Sequence, residues 1–321
     1  MTPPYNIFRC NEVLPMKIKL FSLFLILLLL AGCASAAPQE AGYTFTDDLG
    51  RTVAVQEPKR VACLLGSFAQ VWQLAGGRVI ATADDAWDDL ALELSEDTVN
   101  LGNTKNLSLE LLLSAEPDFI LASANTRQNL EWLETLEATG IPTAYFDISD
   151  FEDYLRLLAL CTDITGRKDL YARHGTQVQQ QIDAVLEQAD KRGTAPTVLC
   201  MRASASMVTV KNSEDNVLGE MLHSLGCVNI ADSDTSLLEN LSLEAILEAD
   251  PDFIFIVQRG DDEAGMRAFV AAMMQENPAW QRLSAVEEGR LFFMDKNLYN
   301  LKPNHRWGEA YETLEEILEN G

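Results

Sequence analysis

An internal repeat constrains the fold of this 321-residue chain more than any other sequence feature. Residues 106–123 read NLSLELLLSAEPDFILAS, and residues 240–257 read NLSLEAILEADPDFIFIV. Eleven of the eighteen positions are identical, at a constant offset of 134 residues. Two copies so far apart predict two similar lobes, and exclude a solenoid of short stacked repeats.

Each copy of the repeat predicts a short helix followed by a buried strand. Ser108 and Ser242 are suitable helix N-caps, and the proline in each copy ends the helix. The apolar runs that follow, 119–121 and 253–257, have no polar interruption. Such runs are typical of strands that are buried on both faces of a parallel sheet.

Strand-like and helical segments alternate in both halves of the chain. Apolar strand-like runs lie at 60–65, 78–83, 118–122, 143–147, 196–201, 253–257 and 290–294. This alternation predicts an α/β fold: two similar lobes with parallel sheets, over residues 43–148 and 194–321. Residues 149–193 carry the longest helical pattern, which starts with a capping box at 149–152 and is broken at Gly166. We expect this segment to join the lobes as a single long α-helix.

The N-terminus predicts an export signal with a lipid anchor. Lys17 and Lys19 precede an apolar run at 20–31, whose length as a helix is about 18 Å, too short for a bilayer core of about 30 Å. The run ends in Leu-Ala-Gly-Cys, which places Cys33 where bacterial lipoproteins are cleaved and lipidated. The alternative is a buried cysteine, with cleavage elsewhere by an ordinary signal peptidase.

The residues on either side of this signal are not part of the predicted fold. Residues 1–15 precede the basic region and fit no export signal, which favours Met16 as the true start. Residues 34–42 are small and polar, as expected of a tether between an anchor at residue 33 and a folded domain.

The charge and the composition exclude several functions. Lys and Arg number 24 against 49 Asp and Glu, a net charge of -25, which excludes nucleic acid as a partner because phosphates require a basic face. Only three histidines are present, so we predict no metal centre and no cofactor. Four cysteines follow the tether and are expected to be buried free thiols: Cys63, Cys161, Cys200 and Cys227.

Together these features resemble the substrate-binding lipoproteins of ABC importers for iron–siderophores, cobalamin and heme. The resemblance extends from about Tyr43 to Leu318 and rests on the order of several short motifs. These are YTFTDDLGR at 43–51, both repeat copies, LHSLG at 222–226, PNHR at 303–306, and the lipobox. It implies a ligand cleft between the lobes, a permease partner, an extracytoplasmic lipid-anchored location and no enzymatic activity. We expect a monomer.

The resemblance also implies a role for Glu110 and Glu244, which occupy the same position in the two repeat copies. In the family, one glutamate on each lobe docks onto arginines of the permease, and charge steers this encounter. The alternative is that each glutamate only stabilises its own helix, because the helix dipole favours an acid in the first turn by about 0.3–1 kcal/mol. The two roles are compatible.

Ligand-binding residues are expected in the loops at the carboxyl ends of the strands. We predict Trp87, Arg127, Arg202, Arg259 and Tyr299. Trp87 either stacks on a planar ligand or anchors its own loop. The arginines suit an anionic ferric siderophore, because guanidinium groups donate several hydrogen bonds to carboxylate or catecholate oxygens. The alternative is that each arginine pairs with a surface acid.

Other ligands and other classes of protein stay open. Heme requires an axial donor, for which His305, Tyr299, Met201 and Met207 are available. Cobalamin requires an aromatic and uncharged cleft. An enzyme is disfavoured because the sequence contains no nucleophile elbow, zinc-protease or P-loop motif. A metal-ion receptor and a structural lipoprotein are the remaining alternatives.

Overall fold

The computed structural model describes residues 42–214, 216–239 and 241–321. The predicted export signal, Cys33 and the predicted tether up to residue 41 therefore lie outside the described residues. Residues 43–321 form one compact unit. No helix among the described residues has both the length and the apolar character to cross a membrane.

The N-terminal part contains a hairpin and a five-stranded parallel sheet. The hairpin pairs β1 (Tyr43–Thr46) with β2 (Thr52–Val55). The sheet has the order β5-β4-β3-β6-β7, formed by β3 (Val61–Cys63), β4 (Val79–Thr82), β5 (Val99–Asn100), β6 (Phe119–Ser123) and β7 (Thr143–Phe146). The helices are α1 (Gly66–Leu74), α2 (Asp85–Asp88), α3 (Leu109–Ser114), α4 (Arg127–Glu131) and α5 (Leu133–Thr139).

The segment between the two sheets is helical, with one break. Helix α6 (Phe151–Thr165) ends at Gly166, which has the left-handed conformation (φ 72°) expected of a helix-ending glycine. A second run comprises α7 (Lys168–Tyr171), a π turn (Ala172–Thr176) and α8 (Gln177–Arg192). The connector is therefore two helical segments, the second the longer. The capping pair is Asp150 and Asp153, so the predicted box at 149–152 is wrong by one residue.

The C-terminal part contains a second five-stranded sheet. Four parallel strands have the order β10-β8-β11-β12, formed by β8 (Thr197–Ser204), β10 (Val228–Asn229), β11 (Phe253–Gln258) and β12 (Leu291–Met294). Strand β9 (Met207–Lys211) pairs antiparallel with β8. This antiparallel strand was not predicted, because the expected sheet was purely parallel.

Short helices and turns connect the strands of the second sheet. They are α9 (Val217–Ser224), α10 (Ile230–Ser233), α11 (Ser236–Glu239), α12 (Leu243–Ala249), α13 (Glu263–Glu276), a 3-10 turn (Pro278–Arg282), α14 (Ser284–Glu287), α15 (Lys296–Tyr299), a second 3-10 turn (Asn304–Arg306) and α16 (Trp307–Asn320). The final helix, α16, packs against α8 of the connector. Arg192 of α8 forms an ion pair with the buried Glu315 of α16 and donates to the carbonyl of Leu225 at 2.6 Å.

The two repeat copies occupy equivalent places in the two sheets. The hydroxyl of Ser108 accepts a hydrogen bond from the backbone N–H of Leu111 at 3.2 Å, and that of Ser242 from Ala245 at 3.3 Å. Each copy continues into an inner strand, β6 or β11, which is buried along its length. The α/β fold with parallel sheets is therefore confirmed.

One apolar cluster runs through both sheets and the connector, and two further clusters lie on the opposite faces of the two sheets. This cluster includes Phe119 of β6, Phe255 of β11, the buried face of α8 and the buried face of α16. Four apolar residues on one face of α8 are buried: Val178, Ile182, Val185 and Ala189. The four cysteines are buried and free, as predicted, and burial raises the pKa of each thiol.

Candidate functional site

The carboxyl ends of the two sheets meet directly. After β12, the ammonium group of Lys296 lies 2.6 Å from a carboxylate oxygen of Asp89, in the segment that follows β4, and 2.7 Å from Asp261. The side-chain amide of Asn297 donates to the Asp89 carbonyl at 2.9 Å. These bonds place the loops after β4 and β12 against each other. Lys296 is neutralised by two carboxylates and contributes no free positive charge.

A second contact joins the two parts deeper in the molecule. The side-chain amide of Asn304 is buried and donates to the carbonyl of Ser67 at 3.0 Å and to Oε1 of Gln70 at 2.7 Å. Ser67 and Gln70 belong to α1, which begins at the carboxyl end of β3. The segment between Lys296 and Asn304 therefore lines the junction between the two sheets.

Arg202 and Arg259 form a pair of cations at this junction. Val257 lies opposite Arg202 in the β8–β11 register, and side chains two residues apart on a strand project from the same face, so Arg259 lies diagonally across from Arg202. The backbone N–H of Arg259 extends the ladder, because it donates to the carbonyl of Ala203 at 2.7 Å. The two arginines therefore lie at the carboxyl ends of neighbouring strands, and their role in ligand binding stays a prediction.

Neither arginine of this pair has a carboxylate partner among the described residues. Arg202 donates only to Oδ1 of Asn300, at 3.5 Å, and its buried Nε has no partner. The guanidinium of Arg259 is exposed and lies 4.0 Å from the sulfur of Met207. Burial lowers the pKa of Arg202, and the positive charge of Arg259 lowers it further. The pair is therefore an uncompensated positive charge in an acidic protein.

Lys302 is a further cation, near Asp147, Asp85 and Asp153, that was not predicted from the sequence. It follows Asn300, the hydrogen-bond partner of Arg202, by two residues, and it is only partly exposed. Burial lowers its pKa, and the carboxylates of Asp147 and Asp85 act in the opposite direction. It makes no ion pair or hydrogen bond within the described chain. The sequence signal that was available is its position before Pro303, in the loop after β12.

Trp87 and Asp85 border the junction on the side of β4. Trp87 is partly exposed on α2, directly after β4. The carboxylate of Asp85 accepts a hydrogen bond from the backbone N–H of Gly66 at 2.9 Å, and burial raises its pKa to about 6. A side chain at Gly66 would meet the backbone of Ala86 at 2.5 Å, so this close approach requires glycine.

Two of the predicted ligand residues, Arg127 and Tyr299, do not lie at the junction with Arg202 and Arg259. The side chain of Arg127, at the start of α4, is 92% exposed and forms an ion pair with Glu131 at 2.8 Å. Tyr299 is 1% exposed, and its hydroxyl donates to the carbonyl of Ala310 at 3.0 Å. Tyr299 therefore belongs to the core between α15 and α16. We correct the prediction by leaving it out of the site, because a ligand in the cleft does not reach a buried, hydrogen-bonded phenol.

The candidate axial donors for heme differ in their exposure to solvent. Met201 lies inside β8 and is buried, as is the phenol of Tyr299. Met207 is exposed beside Arg259. His305 is partly exposed and packs against His174, not into the junction between Arg202 and Trp87.

Glu110 and Glu244 occupy the same local environment in the two repeats. Each lies in the first turn of its helix, two residues after the capping serine. Both side chains are exposed, and neither makes an ion pair within the described ranges. The two carboxylates are therefore available for an external cationic partner.

A groove elsewhere on the molecule has the opposite charge. It has a volume of about 620 Å³ and lies between the start of α6, the end of β9 and α16. Five carboxylates line it: Asp150, Glu152, Glu214, Glu220 and Asp232. None of the predicted ligand residues borders it. An anion is repelled there, so the cationic junction between the strand ends is the better anion site.

Comparison with known proteins identifies the fold family. The family model described as "Periplasmic binding protein" matches residues 61–298. The Fe(3+)-citrate-binding protein YfmC of Bacillus subtilis is 26% identical over 294 residues, which cover 86% of this chain and 88% of that protein. The vitamin B12-binding protein of Pectobacterium atrosepticum is 26% identical over 223 residues, covering 68% and 78% of the two chains.

Solved structures agree with this assignment. The structure of Staphylococcus aureus SirA complexed with staphyloferrin B matches with a TM-score of 0.65 and 19% identity, and the match covers 86% of this chain and 98% of SirA. This likeness concerns the fold. The matched family residues run from β3 to α15 and so include both sheets and the connector. The chain belongs to the periplasmic binding protein family, and its relatives are substrate-binding proteins of ABC importers.

Proposed function

We propose that this protein is a lipid-anchored extracytoplasmic receptor that captures an anionic ferric siderophore and delivers it to an ABC importer. One observation carries the choice of ligand. Arg202 and Arg259 lie together at the strand ends without a carboxylate partner in the described chain, although acids outnumber bases two to one. Like charges at close range destabilise the free protein, and a bound anion removes this penalty.

The ligands printed in the names of relatives support an anionic ferric chelate. One relative is named for Fe(3+)-citrate, and a solved structure contains staphyloferrin B. Arginine suits such ligands because its planar guanidinium donates paired hydrogen bonds to carboxylates. Lys302 supplies a further positive charge, and Trp87 offers an aromatic surface at the same junction.

Cobalamin is the second candidate, because one relative is named a vitamin B12-binding protein. An uncharged cleft suits cobalamin better than unpaired arginines do. Heme is a third candidate within the same fold, but Met201 and Tyr299 are buried away from the junction. We therefore place both below the ferric chelate.

Anchoring and docking complete the proposal. Lipidation of Cys33 would hold the receptor at the membrane surface, with residues 34–42 as the tether. Glu110 and Glu244 would each contact a cationic group of the permease. Three observations support this docking role. Both glutamates are exposed, neither has an ion pair among the described residues, and they occupy equivalent positions in the two repeats.

A ligand panel tests the proposed function. The chain from residue 34 onward retains the compact unit of residues 43–321, and we would titrate it while recording its tryptophan fluorescence. The panel holds ferric citrate, a ferric hydroxamate, a ferric catecholate, hemin and cobalamin, with each iron-free chelator as a control. We expect saturable quenching by one class of ferric chelate, because Trp87 lies at the junction.

The panel also separates the alternatives. Quenching by hemin or cobalamin alone would retain the receptor role and overturn the ferric-chelate ligand. Equal quenching by a chelator with and without iron would show that the metal complex is not what the site recognises. Absence of saturation by every compound would contradict the proposed ligand class.

A further inference from the structure

Two of the three histidines in this sequence lie side by side, away from the cationic junction. His174 is on the π turn of the connector, and His305 is on the 3-10 turn that precedes α16. Their ring centroids are 6.0 Å apart, and the ring planes are nearly perpendicular, at 86°. Both side chains are partly buried. Distant parts of the chain thus bring two imidazoles together.

No described residue is a hydrogen-bond or ion-pair partner of the nitrogen atoms of these rings. Among the described residues, neither imidazole makes a hydrogen bond or an ion pair, and Nδ1 of His305 is fully buried. The nearby hydroxyl of Tyr154 donates to the backbone carbonyl of His174 at 2.9 Å, not to its ring. Buried polar atoms in proteins nearly always have a partner. A bound ligand would give the buried Nδ1 of His305 the partner that it lacks among the described residues.

The spacing is close to that required by a shared metal ion. Imidazole nitrogens bind transition metals at about 2.0–2.1 Å, so two rings on one tetrahedral ion have centroids roughly 5 Å apart. The observed separation is 6.0 Å. Binding of one ion would therefore bring the two rings closer by about 1 Å, with one nitrogen of each ring directed at the ion.

The backbone holds both rings in place. His174 belongs to a π turn, an irregularity that is often found at functional sites. His305 follows Asn304, whose buried side chain is bound to Ser67 and Gln70 of α1. Fixed backbone positions of this kind reduce the cost of ordering the ligands when the ion binds.

We propose that His174 and His305 form a two-histidine site for a divalent transition-metal ion such as Zn²⁺, Ni²⁺ or Cu²⁺. Neutral imidazole favours these ions, whereas Mg²⁺ and Ca²⁺ require oxygen ligands. No cluster of three or more His, Cys, Asp or Glu suited to a metal occurs in the part of the chain that the structure describes. The remaining coordination positions are therefore open to water or to a small external ligand.

The surrounding charges predict moderate affinity. Arg306, next to His305, is neutralised by Glu309 through two hydrogen bonds of 2.7 Å. Arg173, next to His174, opposes a bound cation. The net charge of the protein, -25, attracts cations at longer range. Two histidines with open positions and a neighbouring arginine bind an ion more weakly than a closed structural site does.

Metal binding at this site has a structural consequence. The ion would link the connector to the turn before α16, and so join parts of the chain that lie on either side of β8 to β12. A ligand that binds only the folded state raises the unfolding temperature. The inference does not rest on the ligand of the cationic junction, because none of the residues assigned to that junction takes part.

The chain itself provides the matched control. We would titrate the protein from residue 34 onward, without a histidine tag, with Zn²⁺, Ni²⁺ and Cu²⁺ by calorimetry, and record its unfolding temperature. The variants are His174→Gln and His305→Gln, and the control is His223→Gln, which changes the exposed histidine of α9. We expect one ion per chain and a raised unfolding temperature, with affinity lowered by about tenfold or more in both variants and unchanged in the control.

Three results would overturn the site. They are the absence of saturable binding to the native chain, an equal loss in His223→Gln, and undiminished binding in His174→Gln. The unfolding temperature without metal shows whether His305→Gln is folded. If that variant is unfolded, the metal affinity of His174→Gln alone tests the site.

Discussion

Replacement of Arg202 and Arg259 by alanine should greatly weaken binding of the ferric chelate. Charge-assisted hydrogen bonds contribute about 1.5–3 kcal/mol each, so each single variant should lose about 10- to 100-fold in affinity and the double variant more. Stability should not fall with affinity. The pKa of Arg202 is lowered by burial and by Arg259, which means that its charge destabilises the free protein.

The controls separate a specific contact from general electrostatics. Arg282→Ala removes the same charge from an exposed arginine in the 3-10 turn after α13, and it should leave affinity unchanged. Affinity is measured by fluorescence titration, and stability by thermal unfolding without ligand. A fall in affinity that is equal in Arg202→Ala and Arg282→Ala would show that net charge alone attracts the ligand. Undiminished affinity in the double variant would place the ligand elsewhere.

Reversal of both repeat glutamates should abolish transport without affecting capture. Glu110 and Glu244 are exposed and have no described ion pair. In the proposed docking, Glu110→Arg with Glu244→Arg would replace two attractive contacts by repulsion from cationic groups of the permease. Like-charge contacts at an interface cost several kcal/mol. Uptake of the radioactive ferric chelate should fall to background in cells that lack the native protein, and the fluorescence titration should be unchanged.

Glu152 provides a matched control for this double variant. It is exposed and stands at the same helical position, two residues after the cap of α6, but it lies outside the repeats. Glu152→Arg therefore changes the helix dipole interaction in the same way, by about 0.3–1 kcal/mol. Normal uptake in this variant assigns the loss to docking. Lost affinity in the double variant would instead assign the glutamates to the cleft or to folding.

The repeat explains why so much of the fold was predictable. Its two copies fixed the helix starts at Ser108 and Ser242, and the apolar runs after them became the inner strands β6 and β11. Buried parallel strands need continuous apolar sequence, and helix caps need particular side chains, so both leave local signals. The strand-end rule selected Arg202 and Arg259, which lie at the carboxyl ends of β8 and β11, and their role in ligand binding stays a prediction.

The parts that were missed depend on tertiary packing. Tyr299 follows the end of β12 in sequence, but it lies at the end of α15, where α16 covers it and its hydroxyl donates to the carbonyl of Ala310. Lys302 has no motif of its own, and its proposed role rests on its burial and on the absence of an ion-pair partner among the described residues. Strand β9 is added to β8 as an antiparallel hairpin. Sequence periodicity reports on the burial of a segment and not on which segment covers it.

The most direct test of the receptor account is to locate the iron. A crystal of the protein grown with the ferric chelate that quenches its fluorescence would be measured at the iron absorption edge. We predict a single anomalous peak between the carboxyl ends of the two sheets, beside Arg202 and Arg259 and within reach of Trp87. A peak in the acidic groove between α6 and α16, beside Asp232 and Glu152, would contradict the assignment of the cationic junction as the ligand site.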